Sequence, residues 1–157
     1  MDKINLKSID YNSPAALKNF MESHGMAMQK KFGQNFLINA NARKTLAEEL
    51  SVTPGMKVWE IGPGLGAMTS EILLRGAELT VFEIDRGFAS VLKELFSSYG
   101  NNFKIVEGDV IKTWKNELQT GGLPERIFGN LPYNIASRII ADTVSEGIRF
   151  ERCVFTV

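Results

Sequence analysis

Hydrophobic and polar residues follow two different patterns along this chain of 157 residues. Before residue 53, apolar side chains recur at the three- and four-residue spacing of an α-helix. Ser13 and Pro14 are a favourable N-cap and first-turn pair for a helix that ends at Gly25. A second helix begins after Asn39 or Asn41, either of which can cap it. An arm without clear periodicity, residues 26–37, joins the two predicted helices.

Beyond residue 53 the pattern changes to short apolar runs that alternate with amphipathic segments. The predicted strands are 57–61, 78–84, 103–107, 125–128 and 152–157, and the predicted helices are 67–75, 88–96 and 135–144. Residues 111–123 are expected to form a looser connection anchored by Trp114 and Leu118. Because parallel strands are joined by right-handed crossovers, this alternation predicts an α/β fold with a doubly wound, mostly parallel sheet.

The same pattern makes two predictions about packing. Ile135, Ile139, Ile140 and Val144 should form the inner stripe of the last helix. The last strand reaches the end of the chain and would leave an apolar edge exposed, which folded proteins normally avoid. We therefore expect the sheet to be truncated after its fifth strand and the chain to be part of a longer protein.

Composition and charge add a weak indication of a nucleic-acid partner. The chain is 44% apolar and 23% charged with a formal net charge of zero, which is ordinary for one globular domain. Residues 1–44, however, hold seven Lys/Arg against three Asp/Glu. Lys30, Lys31, Arg43 and Lys44 lie in a stretch without acids and are candidates for phosphate contacts, although such runs are often only solvated faces.

Other functional classes are disfavoured by what the sequence lacks. Cys153 is the single cysteine, so an internal disulfide or a thiolate metal cluster is excluded, and we expect this residue in the core. The single histidine, His24, is expected at the end of a surface helix, without ligand partners. No apolar segment has the length of a membrane span, and no signal-peptide core is present. A cytoplasmic protein without a metal site is expected.

A glycine-rich loop follows the first predicted strand at residues 60–66 (EIGPGLG). In open parallel sheets, ligands bind at the carboxyl ends of strands near the point where strand order reverses. Gly62 and Gly64 allow the main chain to approach a ligand closely. Glu83 ends the second strand and can accept hydrogen bonds from both hydroxyls of a ribose. Because NAD and S-adenosylmethionine both contain a ribose, the glycine loop and Glu83 are compatible with either cofactor.

Two further polar residues end the next strands. Asp109 follows the third strand and can accept a hydrogen bond from the exocyclic amine of a bound adenine, although capping the following helix or turn is an equal alternative. Asn130 follows the fourth strand. Acidic or amide groups at successive strand ends favour a methyltransferase over a dehydrogenase, because no Ser-Tyr-Lys arrangement is present to serve hydride transfer. NAD is the second choice of cofactor.

Residues 130–133 (NLPY) have the chemistry needed to methylate an amine on a base. The side-chain carbonyl of Asn130 and the backbone carbonyl of Leu131 can each accept one hydrogen of an adenine N6 amine. Pro132 restricts the turn, and Tyr133 offers a face on which a base turned out of its stack can lie. The alternative is an ordinary strand-to-helix turn.

The segments 31–37 (KFGQNFL), 60–66 (EIGPGLG), 82–85 (FEID), 107–109 (EGD) and 129–135 (GNLPYNI) together resemble the ribosomal RNA adenine N6,N6-dimethyltransferases of the KsgA type. The resemblance covers about residues 13–157 and implies a Rossmann-like, class I S-adenosylmethionine-dependent methyltransferase fold. It implies that residues 1–25 are an extension and 26–157 an incomplete catalytic domain. The implied cofactor contacts are Gln34, Asn35, Leu37, Gly62, Gly64, Glu83, Asp109 and Asn130, with 34–37 acting as a lid.

The implied substrate is a pair of adjacent adenosines in the hairpin near the 3′ end of small-subunit ribosomal RNA. The partner would be an immature 30S subunit, bound by a monomer. The family's last two strands and its helical domain are absent from this sequence. We therefore expect weak cofactor binding and poor methylation from this chain. The alternatives are the related large-subunit RNA methylase of the macrolide-resistance type, a non-catalytic assembly or RNA-binding factor, and a dehydrogenase-like nucleotide binder.

Overall fold

The computed structural model describes residues 9–26 and 37–156. The elements are α1 (Pro14–Ser23), α2 (Ala40–Leu50), β1 (Lys57–Ile61), α3 (Ala67–Leu73), β2 (Glu78–Glu83), α4 (Arg86–Leu95), a 3₁₀ segment (Ser97–Asn102), β3 (Phe103–Glu107), α5 (Val110–Gly121), β4 (Arg126–Asn130), α6 (Tyr133–Ser145) and β5 (Arg152–Thr156). The predicted alternation of strands and helices is confirmed.

The strands form a parallel sheet in the order β3-β2-β1-β4-β5. From β1 the chain moves outward to β2 and β3, and it then crosses back to place β4 on the other side of β1. Strand order therefore reverses between β1 and β4, which is where ligands bind in open α/β sheets. The predicted doubly wound sheet is confirmed, and β5 is one of its edges.

Apolar layers cover both faces of this sheet. Successive strand residues point to opposite faces, so Val58 and Trp59 enter different layers. One layer packs the sheet against α1, α2, α3 and α4, and the other packs it against α5 and α6. Burial of these side chains is the main source of stability for such a fold.

The two N-terminal helices begin where the sequence predicts. The Ser13 hydroxyl accepts a hydrogen bond from the Ala16 amide at 3.2 Å, and the side chain of Asn39 caps α2. Leu17 and Met21 of α1 are only 3% and 2% exposed. The helix of the N-terminal extension therefore packs into the same apolar layer as the central strands.

The predicted loose connection at residues 111–123 is wrong, because residues 110–121 form the helix α5. Asp109 caps this helix by accepting from the Ile111 amide at 2.9 Å. The buried face of α5 consists of Val110, Trp114 and Glu117. Glu117 is ion-paired with Lys104 at 2.6 Å. A charged residue on the inner face hides the apolar periodicity that would have predicted a helix.

The inner stripe predicted for α6 is partly wrong. Ile139 is fully buried, but Ile140 and Val144 are 41% and 64% exposed. Ala136 and Thr143 complete the buried face instead. Thr143 can be buried because its hydroxyl donates to the Ile139 carbonyl at 2.7 Å. Cys153, which was expected in the core, is exposed on the edge strand β5.

Candidate functional site

The candidate site lies at the carboxyl ends of β1 and β4, where strand order reverses. Ile61 pairs with Gly129 in the parallel register, so the loop after β1 and the turn after β4 leave the sheet side by side. Gly62 has φ +68°, and a Cβ added there would lie 2.9 Å from Leu131 Cδ2. Only glycine allows the two segments to approach this closely.

A narrow cleft, with about 20 Å³ of enclosed space, opens at this point. Its lining includes Leu37, Gly62, Pro63 and Asn130, together with Tyr11 from the N-terminal extension. The glycine loop and Asn130 therefore share one cavity. Had they faced separate cavities, they could not have served one reaction.

Glu83 joins the glycine loop to the end of β2. It is 5% exposed, and its Oε2 accepts from the Gly64 amide at 3.2 Å while its Oε1 accepts from the Asp85 amide at 2.8 Å. Burial raises the pKa of Glu83 to about 7, although these amide hydrogen bonds act in the opposite direction. Each carboxylate oxygen can accept more than one hydrogen bond, so the ionised group could also bind ribose hydroxyls.

Glu60 is a second buried carboxyl group beside the cleft. It is 1% exposed at the end of β1 and accepts from the Thr69 hydroxyl at 2.7 Å. Burial raises the pKa of Glu60 to about 8, with the Thr69 hydrogen bond opposing and the nearby Glu83 adding to this shift. Glu60 thus lines the cleft, and Glu83 accepts a hydrogen bond from the adjacent glycine loop; the raised pKa values of both carboxyl groups lie near neutral pH.

Asn130 is the last residue of β4 and pairs with Thr156 of β5. The Thr156 hydroxyl donates to Asn130 Oδ1 at 2.6 Å. An amide oxygen has two lone pairs, so it can accept a second hydrogen bond from a substrate amine. Thr156 therefore orients the amide that the sequence predicts to be catalytic.

The turn after Asn130 has the shape that its sequence predicts. The Leu131 amide donates to the Thr156 carbonyl at 3.1 Å, and Pro132 has φ −54° and precedes α6. Tyr133 is 75% exposed, so its ring face is accessible to a base. These positions are compatible with the predicted roles of Leu131, Pro132 and Tyr133, which stay predictions.

Asp109 is not among the lining residues of the cleft. It follows β3, which is separated from β1 by β2. One carboxylate oxygen of Asp109 caps α5, as in the capping alternative. Its predicted contact with an adenine amine stays a prediction.

The predicted phosphate contacts differ in their surroundings. Arg43 is 6% exposed, and its guanidinium donates to the Leu37 carbonyl at 2.6 Å and to Asn12 Oδ1 at 2.7 Å. Both ends of the guanidinium thus donate hydrogen bonds inside the protein, which disfavours the predicted phosphate contact of Arg43, and that contact stays a prediction. Lys44 is exposed, with 71% of its side chain accessible. Lys30, Lys31, Gln34 and Asn35 lie outside the described residues.

Three residues near the site were not identified as functional candidates from the sequence. They are Tyr11, Glu60 and Thr156. Glu60 carries a signal, because an acid between Trp59 and Ile61 in a buried strand needs a polar partner. Tyr11 and Thr156 carry none, since their contacts cross 54 and 26 residues of sequence.

Two other kinds of site are absent from the part of the chain that the structure describes. None of the helices within residues 9–26 and 37–156 is long and apolar enough to cross a bilayer. In the same residues, no group of three His, Cys, Asp or Glu side chains is arranged to hold a metal ion.

A protein-family model matches most of this chain. The model of a family described as ribosomal RNA adenine dimethylase matches residues 25–157. Ribosomal RNA small subunit methyltransferase A of Treponema denticola is 53% identical over 149 residues, which are 94% of this chain and 51% of that protein. The protein of the same name from Borreliella burgdorferi is 43% identical and covers 96% of this chain and 52% of its own length.

This chain is also similar to solved structures of methyltransferases. A 23S rRNA methyltransferase, ErmE, matches with a TM-score of 0.56 and 30% identity, covering 68% of this chain and 41% of its own. A dimethyladenosine transferase from Plasmodium falciparum matches with a TM-score of 0.60 and 26% identity. The match covers 71% of this chain and 39% of the Plasmodium chain. The present chain spans about half the length of the curated relatives that it matches.

Proposed function

Because this chain belongs to the ribosomal RNA adenine dimethylase family, we propose that it acts in the S-adenosylmethionine-dependent dimethylation of ribosomal RNA. The proposed targets are N6 atoms of two adjacent adenosines in the hairpin near the 3′ end of small-subunit RNA. The proposal is carried by the shared cleft, which the glycine loop after β1 and Asn130 after β4 both line. A methyl donor held by the loop and an amine held by Asn130 would meet there.

The residues of the cleft fit the proposed cofactor. Gly62 lines the cleft at a φ of +68°, a backbone conformation that glycine adopts without strain. Glu83 is buried beside Gly64 and provides acceptors for ribose hydroxyls. The proposed cofactor-binding set is Gln34, Asn35, Leu37, Gly62, Gly64, Glu83, Asp109 and Asn130. When bound, S-adenosylmethionine supplies an electrophilic methyl group on a sulfonium sulfur.

The protein's own contribution is to position and polarise the adenine amine. N6 is a poor nucleophile because its lone pair is delocalised into the ring. Acceptance of its two hydrogens by Asn130 Oδ1 and the Leu131 carbonyl favours a pyramidal nitrogen with a directed lone pair. Tyr133 provides a stacking face for the base. The methylated nitrogen is acidic and loses its proton to water, so no general base is assigned.

The wider setting is also part of the proposal. Residues 1–25 are an extension, and residues 26–157 belong to the catalytic domain. The partner is small-subunit ribosomal RNA within an immature 30S subunit, the protein acts as a monomer in the cytoplasm, and Lys30, Lys31 and Lys44 contact phosphate. Affinity for RNA should therefore fall steeply as salt concentration rises.

Large-subunit RNA methylation is a second candidate. It is favoured by the likeness to ErmE, a 23S rRNA methyltransferase, at 30% identity. The curated relatives named for the small subunit are more similar in sequence, at 53% and 43% identity. A non-catalytic assembly or RNA-binding role on the same fold is a third candidate, and the presence of both Asn130 and Asp109 argues against it.

The test has two steps. Calorimetry should detect binding of S-adenosylhomocysteine to this chain and no comparable binding of NAD. Methyl-labelled cofactor should then be mixed with the chain and either immature 30S or 50S particles. Label in the 30S RNA supports the proposal, and label confined to 50S RNA favours the second candidate. Because poor methylation is expected of this chain, absence of transfer to either particle favours a non-catalytic role only if a chain as long as the curated relatives also fails to transfer label. Preference for NAD refutes all three candidates.

A further inference from the structure

The buried Arg43 connects two segments that border the cleft. It projects from α2 into the protein interior and is 6% exposed. Nη1 donates to the Leu37 carbonyl at 2.6 Å, and Nη2 donates to Asn12 Oδ1 at 2.7 Å. The planar fork of arginine can satisfy two acceptors in fixed directions, which a lysine ammonium on a flexible stem does less well. Arg43 thus ties Leu37, the last residue of the arm, to Asn12, which precedes α1.

Tyr11 carries this connection on to the glycine loop. Its hydroxyl donates to the Leu65 carbonyl at 2.8 Å, and the Arg43 guanidinium carbon lies 6.0 Å from the centre of its ring. That distance is within the range of a cation–π interaction. Burial raises the pKa of Tyr11, the charge of Glu60 acts in the same direction and Arg43 opposes it. The hydroxyl therefore remains protonated and available as a donor.

Both ends of this connection are walls of the cleft. Tyr11 and Leu37 line the same space as Gly62 and Asn130. Leu65, whose carbonyl accepts from Tyr11, is 1% exposed within the glycine loop. Loss of the tyrosine hydroxyl would leave a carbonyl in this buried stretch without that donor, and loss of the guanidinium would do the same to Leu37.

We propose that Arg43 and Tyr11 are positioning residues, which hold Leu37 and the glycine loop at a fixed separation and so preform the cofactor cleft. Preformation lowers the cost of ordering loops when a ligand binds. The identity of the ligand rests on the proposed function. The connection itself does not, because it consists of contacts within the chain.

The first test measures affinity for S-adenosylhomocysteine by calorimetry. Tyr11→Phe and Arg43→Lys should each weaken binding about tenfold, the factor that ~1.4 kcal/mol produces. Arg126→Lys is a matched control, because Arg126 is also buried, at 8% exposure, but lies at the opposite end of β4 and donates to the Leu50 carbonyl. Tyr99→Phe is the aromatic control. The double variant should lose less than the product of the two single effects, since both residues act in one network.

The second test follows amide hydrogen exchange in the unliganded protein. Arg43→Lys should accelerate exchange in residues 62–66, to which Arg43 is connected through Tyr11. A merely local role would change exchange only in residues 9–12 and 37–43, and that result would overturn the proposal. Unchanged affinity in Tyr11→Phe and Arg43→Lys would also overturn it. If the wild-type chain does not bind S-adenosylhomocysteine, the proposed function fails, and the exchange pattern alone decides the positioning role.

Discussion

The protonation of Glu60 should make the stability of this protein fall as pH rises. Glu60 is buried in the central strand, and its pKa is raised from 4.5 to about 8. Between these two values the folded protein holds a proton that the unfolded chain has lost. The stabilisation from this group is therefore complete below about pH 4.5 and is lost as pH rises through about 8. Each pKa unit corresponds to ~1.4 kcal/mol, so the full effect is on the order of 4 to 5 kcal/mol at most.

The variant Glu60→Gln isolates this effect. Glutamine has nearly the same shape as the protonated acid, and its amide oxygen can accept from the Thr69 hydroxyl as Glu60 does. Urea unfolding at pH values from about 5 to about 9 can be followed by the fluorescence of Trp59 and Trp114, which are 3% and 1% exposed. The free energy of unfolding of the wild type should decline over this range by several kcal/mol more than that of Glu60→Gln.

Two features make the experiment decisive. Glu83, whose pKa is also raised, is present in both proteins, so the difference between their curves reports mainly on Glu60. Glu107→Gln is a control, because the hydrogen bond and ion pair with Lys93 lower the pKa of the exposed Glu107 below 4.5, so this group loses its contribution only at lower pH and its replacement should not change the slope between about pH 5 and about pH 9. Curves for the wild type and Glu60→Gln that stay parallel across the whole range would refute the reasoning.

Three further predictions concern the cleft. Asn130→Ala should reduce single-turnover methylation of RNA about 100- to 1,000-fold, an effect comparable to the loss of one oxyanion-hole donor. The free energy of unfolding in urea should stay near that of the wild type. A near-normal methylation rate would remove the catalytic assignment of Asn130. Gly62→Ala should weaken binding of S-adenosylhomocysteine in calorimetry and destabilise the fold by roughly 1 to 3 kcal/mol. The added methyl group would lie 2.9 Å from Leu131 Cδ2, at a backbone φ of +68°. An affinity and a free energy of unfolding equal to those of the wild type would contradict this prediction. Affinity for S-adenosylhomocysteine should rise as pH increases through about 7, because Glu83 then ionises and both of its oxygens become acceptors. If Glu83→Gln keeps the same pH dependence of affinity, this carboxyl group is excluded as the source of that dependence.

Much of the fold could be predicted because its strands are short apolar runs bounded by turn residues. The bounds of β1 and β3 agree with the prediction, and β4 extends two residues further, to Asn130. The glycine loop and residues 130–133 could be placed together because parallel strands present their carboxyl ends on one edge of the sheet. The same argument predicts, from the sequence alone, that these two segments line one cleft.

The errors occur where a charged or polar side chain faces inward. Glu117 interrupts the apolar stripe of α5, and Thr143 takes a buried position on α6 while Val144 is exposed. Arg43 belongs to a basic stretch in sequence but is buried in space. In each case a partner distant in sequence satisfies the polar group or the helix supplies its own acceptor, as with Arg43 and Asn12.

Local sequence by itself determined the alternation of strands and helices, the parallel sheet and the set of groups at its carboxyl edge, because these follow from periodicity and turn chemistry. Only the tertiary structure decided the state and surroundings of those groups. The raised pKa values of Glu60 and Glu83 come from burial by several elements at once. The bonds from Tyr11 to Leu65 and from Thr156 to Asn130 join residues that are far apart in the chain. Such contacts depend on how whole elements pack, and a one-dimensional pattern does not contain that information.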